Sequence, residues 1–328
     1  MKKILLITTG GTIVSEKTDG GLAPLLKPDG LLKFVPELQS RYHVDIAPVM
    51  NIESPDIKPE QWCDIVKTIE THYDDYNGFV VIHGTDTLAF TASALNYMVQ
   101  NSAKPIVVTG SQYPIEDTVT DGKKNLHDSC VFAAESDMPG VYVVFDGKVI
   151  RGARVKKART KSFNAFESFN YPDAAAIIGE RIIRYGDFPK PTAAPSFHYE
   201  LDERVFLLKI WPGIRPADFD FVAETYKAMY IEGYGVAGLP AEIIPYIEKW
   251  QEKGLQIVIG TQASYEGTDL EVYTVGYVLS TKFGCLQSHD MTSEAVMAKM
   301  MHILGKTKDP ACIKEMFLTK VGEDILVP

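Results

Sequence analysis

The chain has little cysteine and no long apolar run. Four cysteines, Cys63, Cys130, Cys285 and Cys312, are scattered through 328 residues without CxxC spacing. Each lies in or beside an apolar segment, so they read as buried free thiols in a reducing compartment, not as a disulfide framework. No stretch reaches the roughly 20 apolar residues that cross a bilayer. Met1-Lys2-Lys3 precedes an apolar run too short for a secretory leader, with no cleavage site behind it. A soluble, cytoplasmic protein is the expectation. Basic blocks are also missing. The formal charge is −10 and residues 151–161 (RGARVKKARTK) form the one cationic run, which argues against nucleic acid and anionic membrane as partners. Seven histidines show no HExxH or other paired spacing, so no metal site is expected. The first turn lacks the Walker spacing, Gly10-Gly11 is not a GxGxxG opening a helix, and no GxSxG elbow occurs, which removes the usual nucleotide and serine-hydrolase readings.

What is present is a pair of strand-to-turn junctions. Phe79-Val80-Val81-Ile82 is an apolar, β-branched run that reads as a strand buried on both faces. Leu88, Ala92, Leu95 and Met98 then recur at helical spacing, leaving His83-Gly84-Thr85-Asp86-Thr87 as the turn between them. Asp86 and Thr87 fall where helix caps fall, beside free amides and the positive end of the helix dipole. His83, flanked by the buried strand, reads as a hydrogen-bonded structural histidine. The second junction opens the chain: Ile4-Leu5-Leu6-Ile7 runs into Thr8-Thr9-Gly10-Gly11-Thr12. Paired glycines let backbone approach a ligand and leave the Thr12 hydroxyl unshielded. In a parallel sheet both turns sit at carboxyl strand ends, where open α/β proteins bind ligands. Two threonines would then face one crevice.

The rest of the chain keeps the same rhythm. Strands are expected near 44–49, 105–109 and 141–145, the last in a hairpin with Val149-Ile150, and helices from Pro59 and after Thr120-Asp121-Gly122. Residues 14–26 read either as a mobile lid or as an ordinary surface loop. One lysine of the cationic run could point inward to Thr85 and Asp86; otherwise the run is a solvated face. Alternating strands and helices give an α/β doubly wound parallel sheet. Proline-rich residues 188–203 break the pattern, so the domains are drawn as 1–187 and 204–328 around a linker. In the second domain strands are expected at 205–210, 229–233 and 256–260, with helices near 241–252, 292–304 and 309–318.

TTGGTI at 8–13 with HGTDT at 83–87 resembles the two signature motifs of the bacterial-type L-asparaginases, most closely the cytoplasmic type I branch. Ser54 and Asp56, GSQ at 110–112, TDGKKNL at 120–126, GTQ at 260–262 and DMTSEA at 290–295 extend the resemblance over nearly the whole chain. It implies a flavodoxin-like N-terminal α/β domain and a smaller C-terminal α/β domain. It also implies hydrolysis of L-asparagine to L-aspartate and ammonia without metal or cofactor, by a homodimer or homotetramer. By motif matching, Thr12 would be the nucleophile and Thr85, Asp86 and Lys157 a second triad. Ser54 and Asp86 would hold the substrate's α-carboxylate and α-amino groups, and amides near Gly11 and Thr85 the oxyanion. Lys157 is preferred to Lys156 because RGARVKKARTKSFNAF aligns on the preceding glycine and on Phe166. Two other readings share the motifs. One is the ammonia-generating subunit of a tRNA-dependent amidotransferase, which carries an extra N-terminal domain where this chain reaches TTGGTI at residue 8. The other is a non-catalytic amino-acid sensor, which would not need Thr12, Thr85, Asp86 and Lys157 together.

Three positions depart from the family pattern. Leu22 stands where many members carry a tyrosine that orients the nucleophile, Ala263 where allosteric members carry cysteine, and Gly238 where many carry asparagine. Tyr273 is either the substitute tyrosine or a core residue. If it substitutes, Tyr273→Phe lowers turnover of asparagine in a steady-state assay; turnover at the wild-type level removes it from the catalytic set.

Overall fold

Residues that are apolar on both faces of a strand must be covered on both sides, and the first half of the chain meets that demand with a helix-flanked sheet. The computed structural model describes residues 1–18, 21–23 and 28–326. It divides into two compact units, Met1–Tyr199 and Glu200–Pro328.

In the first unit, β1 (Lys3–Gly10), β2 (His43–Ile52), β3 (Gly78–Ile82), β4 (Pro105–Thr109) and β5 (Gly140–Phe145) are parallel and lie in the order 2-1-3-4-5. This is the flavodoxin-like order, and its switch point falls between β1 and β3. Every residue of β3 and β4 is buried, as their unbroken apolar runs require. Helix α1 (Pro59–Thr71) buries Trp62, Ile65, Val66 and Ile69, one stripe at i, i+3, i+4 and i+7. Helix α2 (Leu88–Met98) is buried nearly all round, and α3 (Gly122–Glu135) buries Asn125, Asp128 and Ser129 as well as its apolar residues.

The sheet is not wholly parallel. β6 (Lys148–Arg151) returns antiparallel to β5, and two further strands extend that edge: β9 (Ala175–Ile178) and β10 (Arg181–Arg184), numbered after the ribbon β7 (Val155–Lys157) and β8 (Phe166–Ser168). Residues 16–18 and 21–23, within the expected lid, pair as a small antiparallel hairpin. Residues 19–20 and 24–26 of that stretch lie outside the described ones. Part of the expected linker is tied to the first unit: Ser196–Phe197 pairs with Val99–Gln100, and His198 N–H donates to the Met98 carbonyl at 2.8 Å. The thiols are free, but not uniformly buried as expected. Cys130 and Cys285 are buried, Cys63 half-buried and Cys312 exposed.

The second unit carries four parallel strands in chain order: β11 (Val205–Lys209), β12 (Ala228–Gly233), β13 (Gln256–Thr261) and β14 (Leu286–Gln287). Its longer helices are α4 (Ile244–Glu252), α5 (Thr274–Thr281), α6 (Ser293–Lys306) and α7 (Pro310–Leu318). Thr292 caps α6 by accepting from Ala295 N–H at 3.1 Å, and Asp309 caps α7 through Ala311 N–H at 2.7 Å. A buried ion pair closes the unit. Lys299 Nζ lies 2.7 Å from Asp324 Oδ2, with side-chain exposures of 2% and 0%. The same ammonium donates to the Thr319 carbonyl at 2.8 Å. Burial pulls Lys299 below the ordinary lysine range, and Asp324 pulls it back.

Removing one partner from such a pair strands a charge in low dielectric. Asp324→Asn is expected to destabilise the unit by about 3 kcal/mol in urea unfolding, and the apolar double change Lys299→Met with Asp324→Leu to recover most of that loss.

Candidate active site

The carboxyl ends of β1 and β3 meet through backbone. Gly11 has φ +85°, and a Cβ placed on it would lie 2.5 Å from both the Cα and the N of Gly84. A Cβ on Gly84 would in turn lie 2.7 Å from Ser54 Oγ. Three loops, after β1, β2 and β3, therefore touch at positions where a side chain has no room. Hydroxyls reinforce the junction: Thr9 Oγ1 donates to the Ile82 carbonyl at 2.9 Å, and Thr87 Oγ1 to the Ser54 carbonyl at 2.7 Å. Thr87 sits at the cap position of α2, but its side chain serves this loop contact and not the helix.

The loops enclose a cleft of about 180 Å³ lined by Gly11, Thr12, Ser15, Ser54, Thr85 and Asp86, with Glu53, Pro55 and Gly84 completing the wall. Lys157 reaches it from the last position of β7. Its Nζ donates to Thr85 Oγ1 at 2.8 Å and to Asp86 Oδ1 at 2.7 Å. The lysine side chain is 17% exposed and the aspartate 63%, so the cation is sheltered while the carboxylate faces water. Lys156, on the opposite face of the strand, places its ammonium over the Phe169 ring at 5.6 Å. Ser54 Oγ accepts from the Asp86 amide at 3.2 Å. Among the described residues the amides of Thr12 and Thr85 have no hydrogen-bond acceptor, so both can serve a ligand oxygen. No group of three His, Cys, Asp or Glu side chains converges as a metal site among the described residues.

Behind the cleft His83 is enclosed. Its Nδ1 donates to the Gly84 carbonyl at 2.7 Å, which leaves Nε2 to accept from Thr91 Oγ1 at 3.0 Å, while Trp62 Nε1 donates to the same hydroxyl at 3.0 Å. Burial pushes the imidazole down to about 4, so it is neutral at physiological pH and holds the turn. Two residues to which sequence reasoning gave no role also belong here. Gln112, in the loop after β4, accepts from Thr85 Oγ1 at 3.1 Å. Asp121 accepts from the Gln112 amide at 2.9 Å and from Asn125 Nδ2 at 3.2 Å. Burial pushes Asp121 up, and the amides of Gln112 and Tyr113 pull it back. The GSQ and TDGKKNL motifs were the available signal, but neither spacing nor residue type tells which of their atoms turn toward Thr85.

Tyr273 lies in the second unit, at the cap of α5, beside a cavity of about 200 Å³ walled by Val236, Leu239, Leu270 and Val275. It is 61% exposed, which overturns the alternative that placed it in the core.

The N-terminal asparaginase domain model matches residues 3–188, and the glutaminase/asparaginase C-terminal domain model matches residues 204–317. The chain belongs to the asparaginase family. Among its relatives in the family, the L-asparaginase of Thermococcus kodakarensis is 35% identical over 98% of this chain and 99% of its own length. The solved structure of the thermostable enzyme from that organism superposes with a TM-score of 0.93 over 99% of this chain and 100% of its own, at 34% identity. L-asparaginase 1 of Escherichia coli K12 is 32% identical over 96% of this chain and 95% of its own length. A glutamyl-tRNA(Gln) amidotransferase subunit from Pyrococcus abyssi is similar at 34% identity, over 99% of this chain and 77% of its own length.

The enclosed imidazole has a consequence for stability. Because folding lowers the His83 pKa, the unfolded chain binds a proton first: its contribution is fully present above pH 6.5 and is lost as pH falls toward about 4. Urea unfolding at pH 7.5 and 4.5 should show a loss of up to about 3 kcal/mol attributable to this group. His83→Gln should flatten that part of the dependence.

Proposed function

We propose that the protein is an L-asparaginase, hydrolysing the side-chain amide of L-asparagine to L-aspartate and ammonia. The observation that carries this is one lysine ammonium donating to both Thr85 and Asp86 on a cleft that Thr12 also lines. An unactivated amide demands a positioned hydroxyl, a route for its proton and donors for the developing oxyanion. Thr12 attacks the carboxamide carbon, ammonia leaves with the transferred proton, and water releases the aspartyl group from the threonine. Thr85, Lys157 and Asp86 handle the protons. The free amides of Thr12 and Thr85 are suited to the oxyanion, with Gly11 giving the backbone its close approach. Ser54 and Asp86 line the part of the cleft assigned to the substrate's α-carboxylate and α-ammonium. No step in this scheme calls on a metal or cofactor. A cytoplasmic homodimer or homotetramer, with Tyr273 standing in for the tyrosine missing at position 22, completes the reading.

The similarity to the amidotransferase subunit supports a second reading, in which the same chemistry supplies ammonia to a tRNA-bound partner. Kinetics of the chain alone separate the two. A coupled ammonia assay over asparagine and glutamine should give saturable turnover of asparagine by the wild type. Thr12→Ala and Thr85→Ala should each lower kcat by about 10³-fold or more. Wild-type protein that releases no ammonia from asparagine would sink the proposal.

A further inference from the structure

Thr85 has one proton to donate, and its surroundings decide where that proton points. Lys157, as an ammonium, is a donor and fills one lone pair of Thr85 Oγ1 at 2.8 Å. The hydroxyl hydrogen must go elsewhere, and Gln112 Oε1 is the acceptor at 3.1 Å. Which end of the Gln112 amide faces Thr85 follows from its other contact. Nε2 points to the Ser162 carbonyl at 3.4 Å, a group that can only accept. The backbone under this side chain is also fixed, since the Gln112 amide donates to both carboxylate oxygens of Asp121 at 3.0 and 2.9 Å. Gln112 does not line the cleft, so it acts through Thr85.

We propose that Gln112 is a positioning residue that draws the Thr85 proton away from the cleft, so that Thr85 meets the substrate as a hydrogen-bond acceptor. This rests on the asparaginase reading of the site. A carboxamide offers N–H groups to such an acceptor, whereas the carboxylate of the product offers only lone pairs. Gln112 therefore favours substrate over product, and losing it frees the hydroxyl to turn and donate to aspartate.

The test compares wild type, Gln112→Met, which keeps size without the acceptor, and Gln112→Glu, which keeps an acceptor oxygen. In Gln112→Met, kcat for asparagine should fall about 10- to 100-fold with KM within about twofold. Aspartate should bind about 3- to 10-fold more tightly as an inhibitor, with the melting temperature nearly unchanged. Gln112→Glu should recover most of kcat. A merely structural role would weaken substrate and product alike, so parallel loss of both overturns the proposal. So does a Gln112→Met enzyme with wild-type kcat, or a Gln112→Glu enzyme as slow as Gln112→Met. Failure of the wild type to hydrolyse asparagine would instead remove the underlying reading.

Discussion

Everything in the cleft depends on two peptide backbones being allowed to touch. The Gly11 and Gly84 turns lie so close that a single methylene on Gly11 would collide with main-chain atoms of Gly84. No rotamer change relieves a clash with backbone, so the contact is a hard limit on composition. It sets the separation of the β1 and β3 tips, and with it the width of the cleft that Thr12 and Thr85 both line. The positive φ of Gly11 serves the same end, since it turns the chain sharply enough for Thr12 to begin a 3-10 turn at the cleft wall.

Around that contact, polar side chains are spent on holding loops. Thr9, Thr87, Ser54, His83 and Asp121 each bond to backbone or to a neighbouring side chain near the strand tips. Each of these groups is buried or nearly so, and each must be paired to avoid the cost of a dry polar atom. The same pairing stiffens the cleft. Lys157 adds a longer link, bringing the β7 ribbon to the β3 turn through a cation held by a hydroxyl and a carboxylate. The ammonium is the sheltered member of the pair and the Asp86 side chain the exposed one.

Much of this was legible in the residues themselves. The buried runs at 4–7 and 79–82 define β1 and β3 because no other arrangement hides apolar side chains on both faces. The glycines and hydroxyls after them mark the carboxyl strand ends, where open α/β sheets bind ligands. Lys157 was separable from Lys156 only by matching the family motif; the strand alternation that sends the two to opposite faces is visible in the structure alone. The antiparallel strands β9 and β10 were not legible, since AAII and RIIR carry no periodicity of their own and are strands by virtue of the edge they join. Helix α5 was hidden for a similar reason: of its eight residues, only Gly276 and Leu279 are buried. Gln112 could not be assigned a role, because which atom of a loop glutamine meets which hydroxyl is decided by tertiary geometry alone.

The cleft gathers residues 11, 54, 85 and 157, positions strewn across nearly half of the polypeptide. No fragment that stops short of the β7 ribbon contains all its parts, however well the earlier strands have assembled. During synthesis the turn after β1 is made first and waits for a lysine that arrives some 145 residues later, counting from Thr12 to Lys157. The ligand-facing set of this cleft is thus complete only once the β7 ribbon has docked on the turn after β3.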